Sequence, residues 1–312
     1  MEMRLLDLDG GLSDQASLWR HRPLAVAARD WGPRIRMACR FGRFRAFERA
    51  LAERVGCAID PSPALTFYGS GDFHHVTLAL LRRLRGPFNL LVLDKHPDWM
   101  RRIPFLHCGT WLAHALELPN LRRVFHLGGE LDFDNAFRWL APWNALRCGR
   151  LIVFPAVRRF ERGAWQAVPH QPLRPAPQTP LDAERMSELL EPFEAELKRW
   201  PLYVSLDKDV MTLDDAVVNW DSGLLRLSEV ETVLAAFLDR ARDRLAGMDV
   251  LGDWSPVQVR GWFRWLFHLT EHPTLDVDPP GARRCNQRTN ARLLAALAAR
   301  EPAAATRFSS SL

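Results

Sequence analysis

Long hydrophobic runs are missing from this chain of 312 residues. No stretch approaches the roughly 18 consecutive apolar residues that a membrane-spanning helix needs, so no transmembrane helix is expected. The N-terminus, Met1-Glu-Met-Arg-Leu-Leu-Asp-Leu-Asp9, mixes acids with its apolar residues; it lacks the pattern of a signal peptide and reads as a first strand. Cysteine is scarce and irregular. Cys39, Cys57, Cys108, Cys148 and Cys285 are odd in number and without metal-ligand spacing, which argues against a disulfide scaffold and suits a reducing cytoplasm. No internal repeat is found. The net charge is +5, carried by arginine clusters at Arg34–Arg49 and Arg283–Arg292. Aromatic residues do not interleave with these arginines as a stacking platform for nucleic acid requires, so the clusters read as solvated basic surface. Twelve tryptophans point to thick aromatic packing or a tight pocket.

What is present is an alternation of short apolar runs and amphipathic stretches. Strands are expected at Arg4–Leu8, Ala64–Tyr68, Phe88–Leu93, Arg123–Leu127, Leu151–Phe154, Leu202–Leu206 and Gly247–Leu251. Helical patterns lie at Arg43–Val55, His75–Leu84, Thr110–Glu117, Leu181–Arg199, Ser228–Leu245 and Asn290–Arg300. Ser228 and Glu231 have the spacing of a capping box. The alternation predicts an α/β domain with a mostly parallel sheet covered on both faces. Prolines at 169, 172, 175, 177 and 180 mark a surface loop over about 168–180. A single domain over 1–300 is expected, because motifs on either side of this loop must meet at one site. Residues 301–312 read as a flexible tail.

Three strand ends carry the chemistry. Phe88–Leu93 runs into Asp94-Lys-His96-Pro-Asp98, and Leu202–Leu206 into Asp207-Lys-Asp209. Ala64–Tyr68 runs into Gly69-Ser-Gly-Asp-Phe-His74-His75. Ligands of open α/β sheets bind beyond the carboxyl ends of the strands. Carboxylates with some imidazole suit Mn²⁺, whereas structural zinc prefers thiolate. Four aspartates balance the charge of two divalent ions.

These segments resemble the arginase/agmatinase (ureohydrolase) family over roughly residues 60–260. The family's Gly-Gly-Asp-His-Ser-Ile-Thr-Leu lies without gaps over Gly71–Leu78, its Asp-Ala-His-x-Asp over Asp94–Asp98, and its Ser-x-Asp-x-Asp over Ser205–Asp209. The resemblance implies a three-layer α/β/α fold with about eight strands and two Mn²⁺. One ion would be held by His74, Asp94, Asp98 and Asp207, the other by His96, Asp94, Asp207 and Asp209. His74 takes the ligand position in this match, with His75 beside it as the alternative. Asp209 would assist proton transfer. His107, in His107-Cys-Gly-Thr, matches a family His-Gly-Thr with one residue inserted and would shuttle protons. Asp253 stands where the family's Glu grips a guanidinium. Asn219 and Trp220 replace a glycine-rich loop.

The implied activity is hydrolysis of a C–N bond in a guanidine or amidine, not obviously arginine or agmatine. A small cationic substrate is the expected partner, and Arg101 and Arg102 would suit one that also bears a carboxylate. Homo-oligomerisation is left open; neither membrane nor nucleic acid is expected. Two alternatives stand beside this reading: a mononuclear zinc deacylase on the related fold, and a metal-binding protein without catalysis.

Overall fold

The computed structural model describes residues 1–56, 63–100, 105–129, 140–156, 172–174, 179–242, 244–272 and 275–300. The expectations that rested on Arg101, Arg102, Pro169, Pro175, Pro177 and the tail 301–312 lie outside these residues.

Among the described residues ten strands form: β1 (Glu2–Asp7), β2 (Leu24–Ala27), β3 (Ala38–Cys39), β4 (Ala64–Phe67), β5 (Phe88–Leu93), β6 (Leu106–His107), β7 (Leu121–Leu127), β8 (Leu151–Phe154), β9 (Leu202–Asp207) and β10 (Leu245–Leu251). Eight of them make one parallel sheet in the order β2-β1-β4-β10-β9-β5-β7-β8. All seven expected strands are in it. The eighth, β2, is a short edge strand after Arg22-Pro23, with too few residues to show a pattern. β3 and β6 pair antiparallel, Ala38 opposite His107.

Side-chain alternation along each strand builds two cores, one on either face. Leu91, Leu93, Val204, Leu206, Phe125 and Leu127 point to one; Leu90, Val92, Tyr203 and Val124 point to the other. The first core is covered by helices Ala183–Leu190, Leu227–Ala241 and Pro279–Ala298. The second is covered by Phe41–Val55, Val76–Leu81 and Trp111–Ala115. Among the described residues no helix is long and apolar enough to cross a membrane.

Three helical expectations are corrected, and one helix was not expected. The run Leu181–Arg199 breaks into Ala183–Leu190 and Glu194–Arg199 around a 3₁₀ turn, because Pro192 cannot donate to a continuous ladder. Ser228 lies inside its helix and does not cap it. The chain enters the helix two residues earlier, where the Arg226 N–H donates to Glu229 Oε2 at 2.8 Å and Arg174 Nε holds Glu229 Oε1 at 2.9 Å. The last helix begins at Pro279, well before Asn290. Asp278 caps it by accepting from the Gly281 N–H at 2.9 Å. Helix Trp262–Glu271 had no counterpart among the expected elements.

The early turns of the last helix were hidden because their buried stripe is polar: Ala282, Asn286, Thr289 and Asn290 precede Leu293 and Leu294. Asn286 exchanges two hydrogen bonds with the backbone of Val217, at 3.1 and 2.7 Å. Asn290 accepts from Lys208 Nζ at 3.1 Å. Lys208 is fully buried, and its ammonium lies 2.8 Å from Asp253 Oδ2, itself 1% exposed. Gln15 donates to the other oxygen of Asp253 at 2.6 Å.

Breaking a buried ion pair from one side strands the remaining charge. Lys208→Met is therefore expected to lower unfolding stability by about 3–5 kcal/mol, and Lys208→Met/Asp253→Leu to regain part of the loss. Urea denaturation checks this; an unchanged midpoint in the single variant would refute it.

Candidate metal centre

The crevice lies where β4, β5 and β9 end. β9 sits between β5 and β10, so Asp94 and Asp207 leave adjacent strands on the same side. Asp207 fits only because two neighbours lack side chains. A Cβ on Gly71 would come within 2.7 Å of one of its oxygens, and a Cβ on Gly252 within 2.5 Å of the other. Asp98 adopts the left-handed conformation (φ 50°), which Asp tolerates better than most residues. That turn brings its carboxylate back toward the strand end.

The side chains converge in two groups that share Asp94: His74, Asp94 and Asp98, then Asp94, His96 and Asp209. His74 Nδ1 lies 3.1 Å from Asp94 Oδ2, 2.9 Å from Asp98 Oδ2 and 3.6 Å from Asp207 Oδ2. His96 Nδ1 lies 2.7 Å from Asp209 Oδ2 and 3.9 Å from Asp94 Oδ1. Backbone N–H groups hold the carboxylates in place. His96 N–H donates to Asp94 at 2.7 Å, Lys95 N–H to Asp209 at 3.0 Å, and Asp209 N–H to Asp207 at 3.1 Å. Trp111 Nε1 donates to Asp98 Oδ2 at 2.7 Å.

Protons and charges in the cluster are out of their ordinary ranges. Burial, and then the neighbouring Asp209 charge, hold Asp207 well above the usual carboxylate range; burial and then Asp94 raise Asp209. The imidazoles move up as well. Burial alone would push His74 down, but Asp94 and Asp98 hold it well above its usual value. For His96, Asp209 outweighs burial and pushes it up to about 10. Crowded carboxylates thus attract positive charge. Asp94 Oδ2 is buried and receives no hydrogen bond. An orphaned carboxylate oxygen, four aspartates and two imidazoles fit divalent cations of the Mn²⁺ type.

Behind His74 stands a polar chain that sequence reading missed. His74 Nε2 lies 3.0 Å from Ser205 Oγ, which donates to Asp249 Oδ1 at 2.7 Å, while Tyr203 donates to Asp249 Oδ2 at 2.8 Å. Burial raises Asp249 to about 6. The chain fixes the ring with Nδ1 toward the crevice, as outer partners of ligating histidines do. The signal was present in Ser205, at the head of its motif, but nothing in the sequence joined it to Asp249.

His75, the alternative to His74, turns away. It is fully buried, neither ring nitrogen is hydrogen-bonded, and burial pushes it down to about 3. His107 is brought in by the β3–β6 pair. Its Nδ1 accepts from the Gly109 N–H at 2.9 Å, and its ring lies 5.3 Å from Phe267. A Cβ on Gly109 would sit 3.3 Å from His107 Nδ1 and 3.9 Å from Asp98 Oδ1, so the two flank one narrow gap.

The expected substrate contacts are placed differently. Asp253 faces the buried Lys208, Gln15 and Asn290, and its carboxylate has an internal cation in place of a guanidinium. Asn219 uses both ends of its amide on the backbone of Ser255, at 2.8 and 3.1 Å. Trp220 does stand at the centre: its ring is 5.5 Å from His96 and 4.8 Å from His272, and Nε1 donates to Asp72 at 2.9 Å. His272 Nε2 lies 2.6 Å from Asp72 Oδ1, and Arg36 Nε 2.5 Å from Asp72 Oδ2. Against the pull of burial, Arg36 and His272 keep Asp72 below the usual carboxylate range. Helix Trp262–Glu271 adds Phe263 and Phe267, 4.4 Å from Phe105 and 5.3 Å from His107. These residues went unread because that helix did.

No family model matches the chain. An uncharacterized protein of Thermotoga maritima is 26% identical over 213 residues, 68% of this chain and 65% of that protein, so the match spans less than two thirds of the relative's length. Solved structures agree over nearly the whole chain. Arginase from Bacillus cereus superposes with a TM-score of 0.59 at 13% identity, covering 95% of this chain and 98% of that one. Arginase from Medicago truncatula gives 0.53 at 15%, covering 96% and 86%. A hypothetical agmatinase from Burkholderia thailandensis gives 0.50 at 14%, also covering 96% and 86%. With its eight-stranded parallel sheet, the chain has the arginase fold.

Proposed function

We propose that this chain is a metal-dependent hydrolase that cleaves a C–N bond of a small guanidine or amidine with two Mn²⁺ bound in the crevice. The observation that carries the reading is the pair of ligand groups built on one shared carboxylate, Asp94, at the ends of three strands. The motif resemblance, and the arginase and agmatinase names of proteins with this fold, point to guanidino chemistry. His74, Asp94, Asp98 and Asp207 would hold one ion, and His96, Asp94, Asp207 and Asp209 the other. When bound, such a pair supplies Lewis acidity toward the substrate and toward water.

The chain's own residues do the rest. Ser205 and Asp249 orient His74. Asp209, with one oxygen fixed by the Lys95 N–H and the other 2.7 Å from His96, would take the proton of the attacking water and pass it to the leaving nitrogen. His107, its Nδ1 committed to Gly109, carries its proton on Nε2 and serves as the shuttle to solvent. Trp220 and Phe267 wall the crevice and exclude water. Asp253 holds no substrate in this reading, because Lys208 neutralises it. A reducing cytoplasmic setting accords with four free cysteines among the described residues, of which Cys39 is buried with its thiol pushed up to about 12.

A second reading has one observation in its favour. The indole of Trp111 engages the same Asp98 oxygen that faces His74, which would suit a single ion at the Asp94–His96–Asp209 group. Metal stoichiometry separates the two: about two equivalents of Mn²⁺ per chain on the first reading, one equivalent of Zn²⁺ on the second.

Asp94→Ala and Asp207→Ala are each expected to lose both equivalents, and His96→Ala about one, by elemental analysis. Full occupancy in Asp207→Ala would refute the shared-carboxylate arrangement. Ser205→Ala is expected to weaken metal binding by about 10–100-fold while leaving the fold intact, as loss of an outer partner does; isothermal titration checks it.

Urea release from a panel of guanidines is expected to stop on chelation and return with Mn²⁺. Arginine and agmatine should be at least about 100-fold poorer than the best substrate, since no free carboxylate stands at position 253. A fully loaded protein that hydrolyses none of the panel would overturn the guanidine reading, and efficient arginine hydrolysis the specificity argument.

A further inference from the structure

His126 is a polar residue near the buried end of β7, and neither metal group includes it. It stands opposite Val92 of β5 and Val153 of β8, so its backbone is held between two strands. Its ring is fully buried. Nε2 lies 2.9 Å from the carbonyl oxygen of His96. A carbonyl only accepts, so Nε2 carries a proton. Nδ1 is buried without a hydrogen-bond partner among the described residues, and burial pushes the ring below its usual value. The imidazole is thus neutral, with Nδ1 bare. Trp99, 3% exposed, packs against it with the ring centroids 5.3 Å apart.

These two contacts bracket the turn that carries the ligands. β5 pairs with β7 as far as Leu93 opposite Leu127, and the Asp94 N–H then donates to the Leu127 carbonyl at 3.2 Å. An extended chain would carry His96 about 13 Å beyond Val92, at about 3.3 Å per residue, out of the reach of a side chain opposite Val92. The chain has instead turned back over the imidazole, with Asp98 in its left-handed conformation between His96 and Trp99. Both peptide groups beside the His96 α-carbon are anchored: the N–H donates to Asp94 Oδ1 at 2.7 Å, and the carbonyl accepts from His126. Pro97, which follows, has no N–H with which to hold the loop. Only the side-chain torsions of His96 are then left to set, and its ring meets Asp209 and Trp220.

We infer that His126 is a positioning residue around which the metal loop is folded, and that its hydrogen bond to the His96 carbonyl sets where His96 meets the ion it would share with Asp94 and Asp209. The inference rests on the metal reading proposed above.

Two variants separate the hydrogen bond from packing. His126→Phe keeps a ring against Trp99 and removes the donor; His126→Gln returns an amide N–H near the place of Nε2. Calorimetric titration with Mn²⁺ alone, without substrate, reads the ions. His126→Phe is expected to weaken one of two equivalents by about 10–100-fold, as loss of an outer partner does, and to leave the other unchanged. Its electron paramagnetic resonance spectrum should change from that of a coupled pair to that of an isolated ion. His126→Gln should regain most of the affinity. In the metal-free wild type, nitrogen NMR of histidine-labelled protein is expected to show His126 as the neutral Nε2–H tautomer. A bare Nε2 in that spectrum, wild-type affinity for both ions in His126→Phe, or equal loss in the two variants overturns the inference. A wild type that takes one ion refutes the proposed pair and not the positioning role: that ion weakened in His126→Phe and recovered in His126→Gln still supports the role, and that ion unchanged in His126→Phe overturns it.

Discussion

Four carboxylates buried within a few ångströms of each other cannot all stay ionised without compensating positive charge, and this constraint organises the crevice. Asp94, Asp98, Asp207 and Asp209 are each no more than 5% exposed. Each is aimed by the main chain. The strand ends supply direction, backbone N–H groups hold Asp94, Asp207 and Asp209, the Trp111 indole holds Asp98, and glycines at 71 and 252 leave room for Asp207. Two imidazoles close the gaps and are drawn to their charged forms by the acids. Divalent cations, on the proposed reading, would relieve the same repulsion in larger measure, and their binding would release those protons.

Around this centre several other buried charges are held by partners. Arg36 and His272 clamp Asp72, Lys208 answers Asp253, and the Lys95 ammonium donates to the Ser222 carbonyl at 2.9 Å. The crowded charge of the crevice is concentrated on Asp94, Asp98, Asp207 and Asp209. Aromatic rings take up much of the remaining wall: Trp220 against His96, Trp111 against His74, Phe267 against His107. The high tryptophan content of the sequence finds part of its explanation here, since a dry, rigid wall strengthens every electrostatic interaction inside it.

The sheet was legible because its strands are buried on both faces and read as continuous apolar runs. Phe88–Leu93 and Leu151–Phe154 have the same limits in sequence and structure. The strand-end acids were legible for a related reason: charge directly after a buried run has few places to go but the crevice. Helices were harder. The last one packs on the sheet through Asn286, Thr289 and Asn290, so its inner stripe has no hydrophobic period until Leu293. Helix Trp262–Glu271 failed in the opposite way. Its pattern is inverted, with Arg264 buried and Trp262, Trp265, Leu266 and Leu269 exposed, and its N-cap is a glycine with no side-chain hydrogen bond. The Asp249–Ser205–His74 chain was invisible because its members come from three separate strand–loop units that only the fold unites.

Asp207-Lys208-Asp209 shows where a motif stops being informative. The two acids point into the crevice, and their spacing is what made the tripeptide readable. The residue between them points the other way, and its identity decides what happens there. An apolar residue at 208 would leave Asp253 in need of another cation. A lysine supplies that cation from within the chain, with Gln15 and Asn290 completing the shell. A carboxylate that a comparison of motifs assigns to recognition is thereby turned to stability, by a side chain that the motif treats as free to vary. The metal half of the arrangement depends on the alternate positions of one strand end, and the specificity half on the position between them. The first can persist while the second changes.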